Sequence, residues 1–296
     1  MISAPVYFAL GISAAVVGLL PWLVAGLRLP LQYLWATEVL PAAMPIALLP
    51  FSQYAITLIV GMLVTGAALA GAIARLTRTR RTRFGLPALA AGVVLLQLVA
   101  TVQSAVVVSG GLLVTRAAGQ YLVALTAGTL ASILLGLAIL LLVARAPAPG
   151  VVIAMGIIAL ALGQWLESLA LPFGVPATDW RIAVLGALRW VPAIVVGIAV
   201  GVGGFRTAGR IAAAVTAGVV LWAGPALITA ITSAAGTRVL LPYPAEMAEY
   251  GAQVFVSALG LQNGASSTLL LAAGVTVITL AARRALQRRR LATTER

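Results

Sequence analysis

Eight long apolar runs follow one another along the chain, at about 6–26, 54–75, 86–108, 121–144, 151–171, 182–203, 211–234 and 266–283. A helix needs about 20 apolar residues to cross a hydrocarbon layer of about 30 Å. Each run is continuous, whereas the strands of a membrane β-barrel would alternate apolar and polar positions. The pattern therefore predicts an all-α polytopic membrane bundle of about eight transmembrane helices.

The composition supports lipid as the solvent of this chain. Hydrophobic residues make up 62% and charged residues 8% of the sequence, against roughly 45–50% and 25% in soluble domains. A soluble fold of this size could not bury so much apolar surface. We predict a single transmembrane domain over residues 1–283, followed by a short basic cytoplasmic tail over 284–296.

The basic residues give the predicted orientation. All 19 are arginines, set against 6 acidic residues. The loops after the even-numbered runs and the tail carry fourteen of them: Arg75, Arg78, Arg80, Arg81, Arg83, Arg145, Arg206, Arg210, Arg283, Arg284, Arg288, Arg289, Arg290 and Arg296. The opposite loops hold four: Arg28, Arg116, Arg181 and Arg238. Basic loops stay in the cytoplasm, so both termini are predicted there.

The same arginines could bind nucleic acid, but their place in short loops beside apolar runs favours the topological explanation, and no nucleic-acid partner is predicted. The use of arginine without any lysine suggests a GC-rich bacterial genome. We therefore expect a multi-pass protein of the bacterial inner (plasma) membrane, in contact with membrane lipids.

Cysteine and histidine are both absent. Their absence excludes disulfides, thiol chemistry, His-ligated haem and the usual zinc sites. The sequence also lacks a phosphate-binding loop of the type GxxxxGK[ST]. No cofactor and no metal site are predicted.

Two segments on the predicted outer side are longer than simple connections need to be. In the first, the uncharged stretch Val39–Phe51 is interrupted by Pro41, Pro45 and Pro50. It is too short to span and too apolar for a free loop, so it is predicted to lie in the interface or to re-enter the bundle. The second, 235–264, contains a predicted surface helix from Ala245 to Leu261.

Two ionisable residues fall inside the apolar runs. Glu167 lies near the outer end of the fifth run, and Arg189 lies about seven residues into the sixth. Because consecutive helices pack antiparallel, we expect an ion pair between them; the alternative is that each reaches outer water separately. Gln97 and Gln164 lie at similar depth, which indicates either a hydrated cavity that opens outward or hydrogen bonds between helices.

The sequence is compatible with three functions. The first is a protein of a transport or envelope-assembly system, with an outward-facing polar cavity for a lipid-like or small polar ligand. Its candidate ligand-binding residues are Glu167, Arg189, Gln97 and Gln164, with Glu246, Glu249 and Glu38 at the outer mouth.

The second function is a non-catalytic membrane subunit whose outer segments dock a partner protein. The third is a membrane enzyme that uses a lipid-linked donor, with a carboxylate of an outer loop, such as Glu38, as the general base. Gly197 and Gly201 form a GxxxG pair, which can pack helices within one chain or join copies in a homo-oligomer.

Overall fold

The computed structural model is an all-α bundle, as the apolar runs predict. It describes residues 2–32, 34–172, 175–237, 240, 243–260 and 264–294, with side chains as far as residue 287. Within these ranges the chain forms no β-sheet, only isolated bridges. The α-helices are α1 (Ala4–Gly18), α2 (Leu20–Val24), α3 (Ile56–Leu76), α4 (Gly85–Gly111), α5 (Arg116–Arg145), α6 (Ala148–Ala170), α7 (Asp179–Leu188), α8 (Val191–Gly203), α9 (Ala208–Gly236), α10 (Pro244–Ala258) and α11 (Ala265–Thr294).

Seven segments of the described chain are long and apolar enough to cross a membrane, with α7 and α8 forming one of them. The first apolar run is instead divided into α1 and α2, because Pro21 has no N–H for the helical ladder. Its two ends nevertheless reach both ends of the bundle. The Ile2 N–H donates to Arg80 O at 2.9 Å, and the Trp22 indole N–H donates to Ala47 O at 2.8 Å. The described chain therefore passes between the two ends of the bundle eight times, seven of them in segments long enough to span a membrane.

The arginine-bearing connections meet at one end of the bundle, which we call the arginine-rich end. Arg75 on α3 donates to Val143 O and Ala146 O at the end of α5. Arg283 on α11 donates to Val202 O at the end of α8. The described N-terminus lies at this end too. Which side of a membrane the end faces stays a prediction from the charge asymmetry.

The bundle has two halves with the same pairing of helices. In the first half α1 runs parallel to α4, and α3 runs parallel to α5. In the second half α6 runs parallel to α9, and α8 runs parallel to α11. Glycines lie at each of these contacts, where they allow backbones to approach closely. Gly197 and Gly201 contact α11 of the same chain, so the GxxxG pair packs intramolecularly.

The segment Val39–Phe51 packs on the bundle, as predicted. The side chains of Met44, Leu49 and Phe51 are buried. The backbone N–H of Leu49 donates to the Ser104 hydroxyl on α4 at 2.8 Å. The segment therefore covers the end of the bundle that lies opposite the arginines.

The second long segment contains a helix close to the predicted one, and the last helix extends into the predicted tail. The predicted surface helix is α10, which begins at Pro244 and ends at Ala258. It packs along α9, with Gly251 beside Ala234; residues 261–263 lie outside the described residues. α11 continues as one helix to Thr294, so the described part of the predicted tail is helical. Residues 295–296, and the side chains of Arg288, Arg289 and Arg290, also lie outside the description.

Candidate functional site

A cavity of about 470 Å³ opens between α3, α5 and the paired ends of α9 and α10. Its size falls within the roughly 300–1,000 Å³ that is usual for small-ligand sites. The lining residues come from four separate parts of the chain: Gln53, Ile56, Ile59, Ala117, Gln120, Tyr121, Ala124, Leu125, Gly128, Thr129, Ser132, Ala235, Pro244 and Met247. We call it the α5 cavity, because one face of that helix supplies most of its wall.

The α5 cavity extends from the middle of the bundle to the end opposite the arginines. Ser132, at its deep end, precedes Arg145 by 13 residues on α5, which corresponds to about 20 Å along the helix. Ala117, at its mouth, lies in the first turn of α5. The cavity therefore occupies one half of the bundle along α5.

The polar groups of the cavity wall are neutral. No charged side chain is among the described residues that line it. Thr129 and Ser132 donate their hydroxyl protons to backbone carbonyls of α5, so each oxygen can only accept from a ligand. The Gln53 side chain is 7% exposed, and its Nε2 has no hydrogen-bond partner in the described structure. The wall is therefore apolar with a few neutral polar residues, and Gln53 Nε2 is a buried donor without a described partner beside it.

A hydrogen-bonded network fixes the upper wall of the cavity. The Tyr121 hydroxyl donates to Gln32 Oε1 at 2.7 Å and accepts from the Gln53 backbone N–H at 3.3 Å. Gln32 Nε2 in turn donates to Pro30 O and Phe51 O. This network ties α5 to the segment between α2 and α3, and so holds Gln53 in place.

Gln32 also lines a second cleft, of about 450 Å³, at the same end of the bundle. Trp35, Thr37 and Glu38 line this cleft as well. The Tyr121–Gln32 hydrogen bond therefore separates the α5 cavity from the cleft. Glu38 is exposed and is the only acidic residue among those that line the cleft.

The expected ion pair between Glu167 and Arg189 does not form between these two described residues. Glu167 Oε2 accepts from Gln164 Nε2 at 3.3 Å, within the same helix. The Arg189 guanidinium is exposed and lies 4.4 Å from the centre of the Trp190 ring. The physical reason is a break in the sixth run. Pro192 cannot donate into the helix, and the chain turns at Arg189 between α7 and α8.

The remaining predicted residues do not line the α5 cavity either. Gln97 is 2% exposed, and its Nε2 donates to Leu63 O on α3 at 2.9 Å, so it bonds helix to helix. Glu246 and Glu249 lie on the exposed face of α10. Glu246 is the sequence neighbour of Met247 at the cavity mouth, so the acidic pair stands next to the mouth but outside the wall.

Sequence reasoning missed the cavity residues although a signal was present. Tyr121, Leu125, Gly128 and Ser132 recur at helical spacing on one face of α5. Their polar members are few, and serine and threonine hydroxyls commonly bond back to their own helix. From the sequence alone, this face of α5 therefore cannot be told from an ordinary helix surface. It becomes a cavity wall only because α3, α9 and α10 lie around it.

Comparison with family models, curated proteins and solved structures finds no match for this chain. Among the residues that the structure describes, no group of three acidic residues could hold a metal ion.

Proposed function

We propose that the chain is a membrane protein of a transport or envelope-assembly system that binds a lipid-like ligand in the α5 cavity. The observation that carries this proposal is a largely apolar cavity of about 470 Å³ whose polar wall groups are all uncharged. With the arginine-rich end in the cytoplasm, the cavity opens in the outer half of the bacterial plasma membrane.

The chemistry of the wall favours an apolar chain over a small charged solute. An unpaired charge in an apolar site is costly, and the described wall supplies no counter-charge. Aliphatic positions such as Ile56, Ile59 and Leu125 suit an acyl or isoprenoid chain. Gln53 Nε2 is buried beside the cavity without a described partner, and a turn of its amide toward the ligand would let it donate to a carbonyl or hydroxyl on that chain.

The experiment fills the cavity without disturbing the bundle. A Cβ added at Gly128 meets no atom within 4 Å, yet Gly128 lines the cavity. Gly128→Leu should therefore occupy the ligand's space while the fold stays intact. Gly119→Leu is the matched control, because Gly119 lies on the same helix, is equally open and is outside the cavity wall.

The full chain and both variants are purified in a mild detergent, and the lipids that co-purify with them are quantified by mass spectrometry. Binding of a phosphatidylcholine with one fluorescent acyl chain is then measured by titration. Wild type and Gly119→Leu should retain a lipid in fixed stoichiometry, and Gly128→Leu should lose it. If both variants retain the same amount of lipid, the lipid does not bind in the α5 cavity.

A second candidate is a non-catalytic subunit that docks a partner protein. Leu40 and Val114, at the end opposite the arginines, are 76% and 105% exposed, although they are apolar. Exposed apolar residues at the end of a membrane bundle can contact a partner protein. Leu40→Ser should then release a co-purified protein without changing the bound lipid; release of the lipid alone would count against docking.

A further inference from the structure

The arginine-rich end contains a cavity of about 260 Å³ between the α8–α9 connection and α11. Four arginines line it: Arg206, Arg210, Arg283 and Arg284. Phe205 and Gln287 also line it. We call this the arginine cavity; it lies at the end of the bundle opposite the α5 cavity and is independent of it.

Three local features hold the arginines in place. Gly204 has φ +70°, which lets the chain turn directly after α8. Thr207 caps α9 by accepting from the Arg210 backbone N–H, so Arg210 lies in the first turn of that helix. Arg283 donates to Val202 O at the end of α8, and this bond ties α11 to the connection.

The protein supplies no counter-charge to this cavity within the described chain. The five acidic residues in the described ranges all lie toward the other end of the bundle: Glu38, Glu167, Asp179, Glu246 and Glu249. Arg206, Arg210 and Arg284 make no side-chain hydrogen bond or ion pair with described residues. Several guanidinium groups around one cavity repel each other, and an anion between them would relieve that repulsion.

Other arginines at the same end are used differently. Arg75 and Arg81 donate to backbone carbonyls of α5 and α3, and the Arg83 guanidinium lies 4.8 Å from the centre of the Phe84 ring. A positive loop is therefore not enough to make a site. What distinguishes the arginine cavity is that three guanidinium groups without a described partner, those of Arg206, Arg210 and Arg284, line one open pocket.

We propose that the arginine cavity binds a phosphate group. The planar guanidinium fork matches the geometry of phosphate oxygens and makes strong charge-assisted hydrogen bonds with them. Phe205 is 45% exposed beside the cavity, as an aromatic ring at the headgroup level would be. The phosphate can belong to the headgroup of an anionic phospholipid or to a soluble phosphate compound.

The test measures the binding of two probes to the full chain in a non-ionic detergent. The lipid probe is dioctanoyl phosphatidylglycerol, with dioctanoyl phosphatidylcholine as its zwitterionic reference, and the soluble probe is pyrophosphate. Arg206→Gln with Arg210→Gln should weaken binding at least about tenfold, because a hydrogen bond to a charged group is worth about one decade or more. Arg78→Gln with Arg83→Gln is the control: it removes the same charge from the same end, outside the cavity wall.

Each outcome has a definite meaning. Tight binding of phosphatidylglycerol alone identifies a lipid headgroup, and tight binding of pyrophosphate alone identifies a soluble phosphate compound. Arg206→Lys with Arg210→Lys keeps the charge but loses the fork, and should give intermediate affinity. If neither probe binds, or if the cavity and control variants weaken binding equally, the arginines act only as surface charge and the proposal is overturned.

Discussion

The close contact between α1 and α4 allows a quantitative prediction. A Cβ added at Gly11 would lie 2.2 Å from Leu89 O, and one added at Gly92 would lie 2.2 Å from Phe8 O. Ordinary contacts of this kind begin at 3.4 Å, so either alanine requires the helices to separate by about 1.2 Å at that contact. Overpacking of this kind costs about 1–3 kcal/mol, against which the better helix propensity of alanine returns up to about 1 kcal/mol.

The variants Gly11→Ala, Gly92→Ala and their combination are compared with Gly110→Ala. Gly110 lies on the same helix as Gly92, but nothing lies within 4 Å of an added Cβ. The free energy of unfolding is measured by titration with SDS in mixed micelles, followed by tryptophan fluorescence. Gly110→Ala receives the same gain in helix propensity without the clash, so each contact variant should have an unfolding free energy about 1–3 kcal/mol below that of Gly110→Ala.

The double variant tests the geometry itself. One separation of α1 from α4 makes room for both methyl groups, so the combined loss should be smaller than the sum of the single losses by more than about 0.5 kcal/mol. Strictly additive losses would mean that the two glycines do not share one contact. If both single variants have the same unfolding free energy as Gly110→Ala, the helices do not approach as closely as the structure has them.

Three further predictions concern other parts of the bundle. Glu167→Gln and Arg189→Gln should have additive effects on thermal unfolding, within about 0.5 kcal/mol, because neither side chain contacts the other. Non-additive effects would show that the two side chains form the ion pair after all. In the cysteine-free chain, a cysteine at Gln120 should react with an impermeant thiol reagent outside intact cells and one at Thr79 should not, and the reverse result would invert the orientation. Trp22→Phe removes a buried hydrogen bond of 2.8 Å and should cost about 1–3 kcal/mol of unfolding free energy; unchanged unfolding would show that the indole bond contributes little.

The sequence alone determined the helical class, seven of the eight predicted spans and the chemistry that is excluded. Each of these follows from a local property. About 20 apolar residues fix a span because hydrocarbon has one thickness and leaves backbone groups no partner outside the helix. The packing of Val39–Phe51 was predictable for a similar reason, since an apolar segment with several prolines can neither span nor stay in water.

Only the tertiary structure decided which side chains meet. Adjacent helices were expected to pair Glu167 with Arg189, but the break before Pro192 leaves Arg189 exposed. Gln97 was expected to line a cavity but donates a hydrogen bond to α3. The α5 cavity lies instead beside a face of α5 that has few polar residues. In lipid, helices select partners by close fit at small residues and not by hydrophobicity. Hydropathy therefore places each helix in the membrane, and the shapes of the facing surfaces decide its neighbours and the cavities between them.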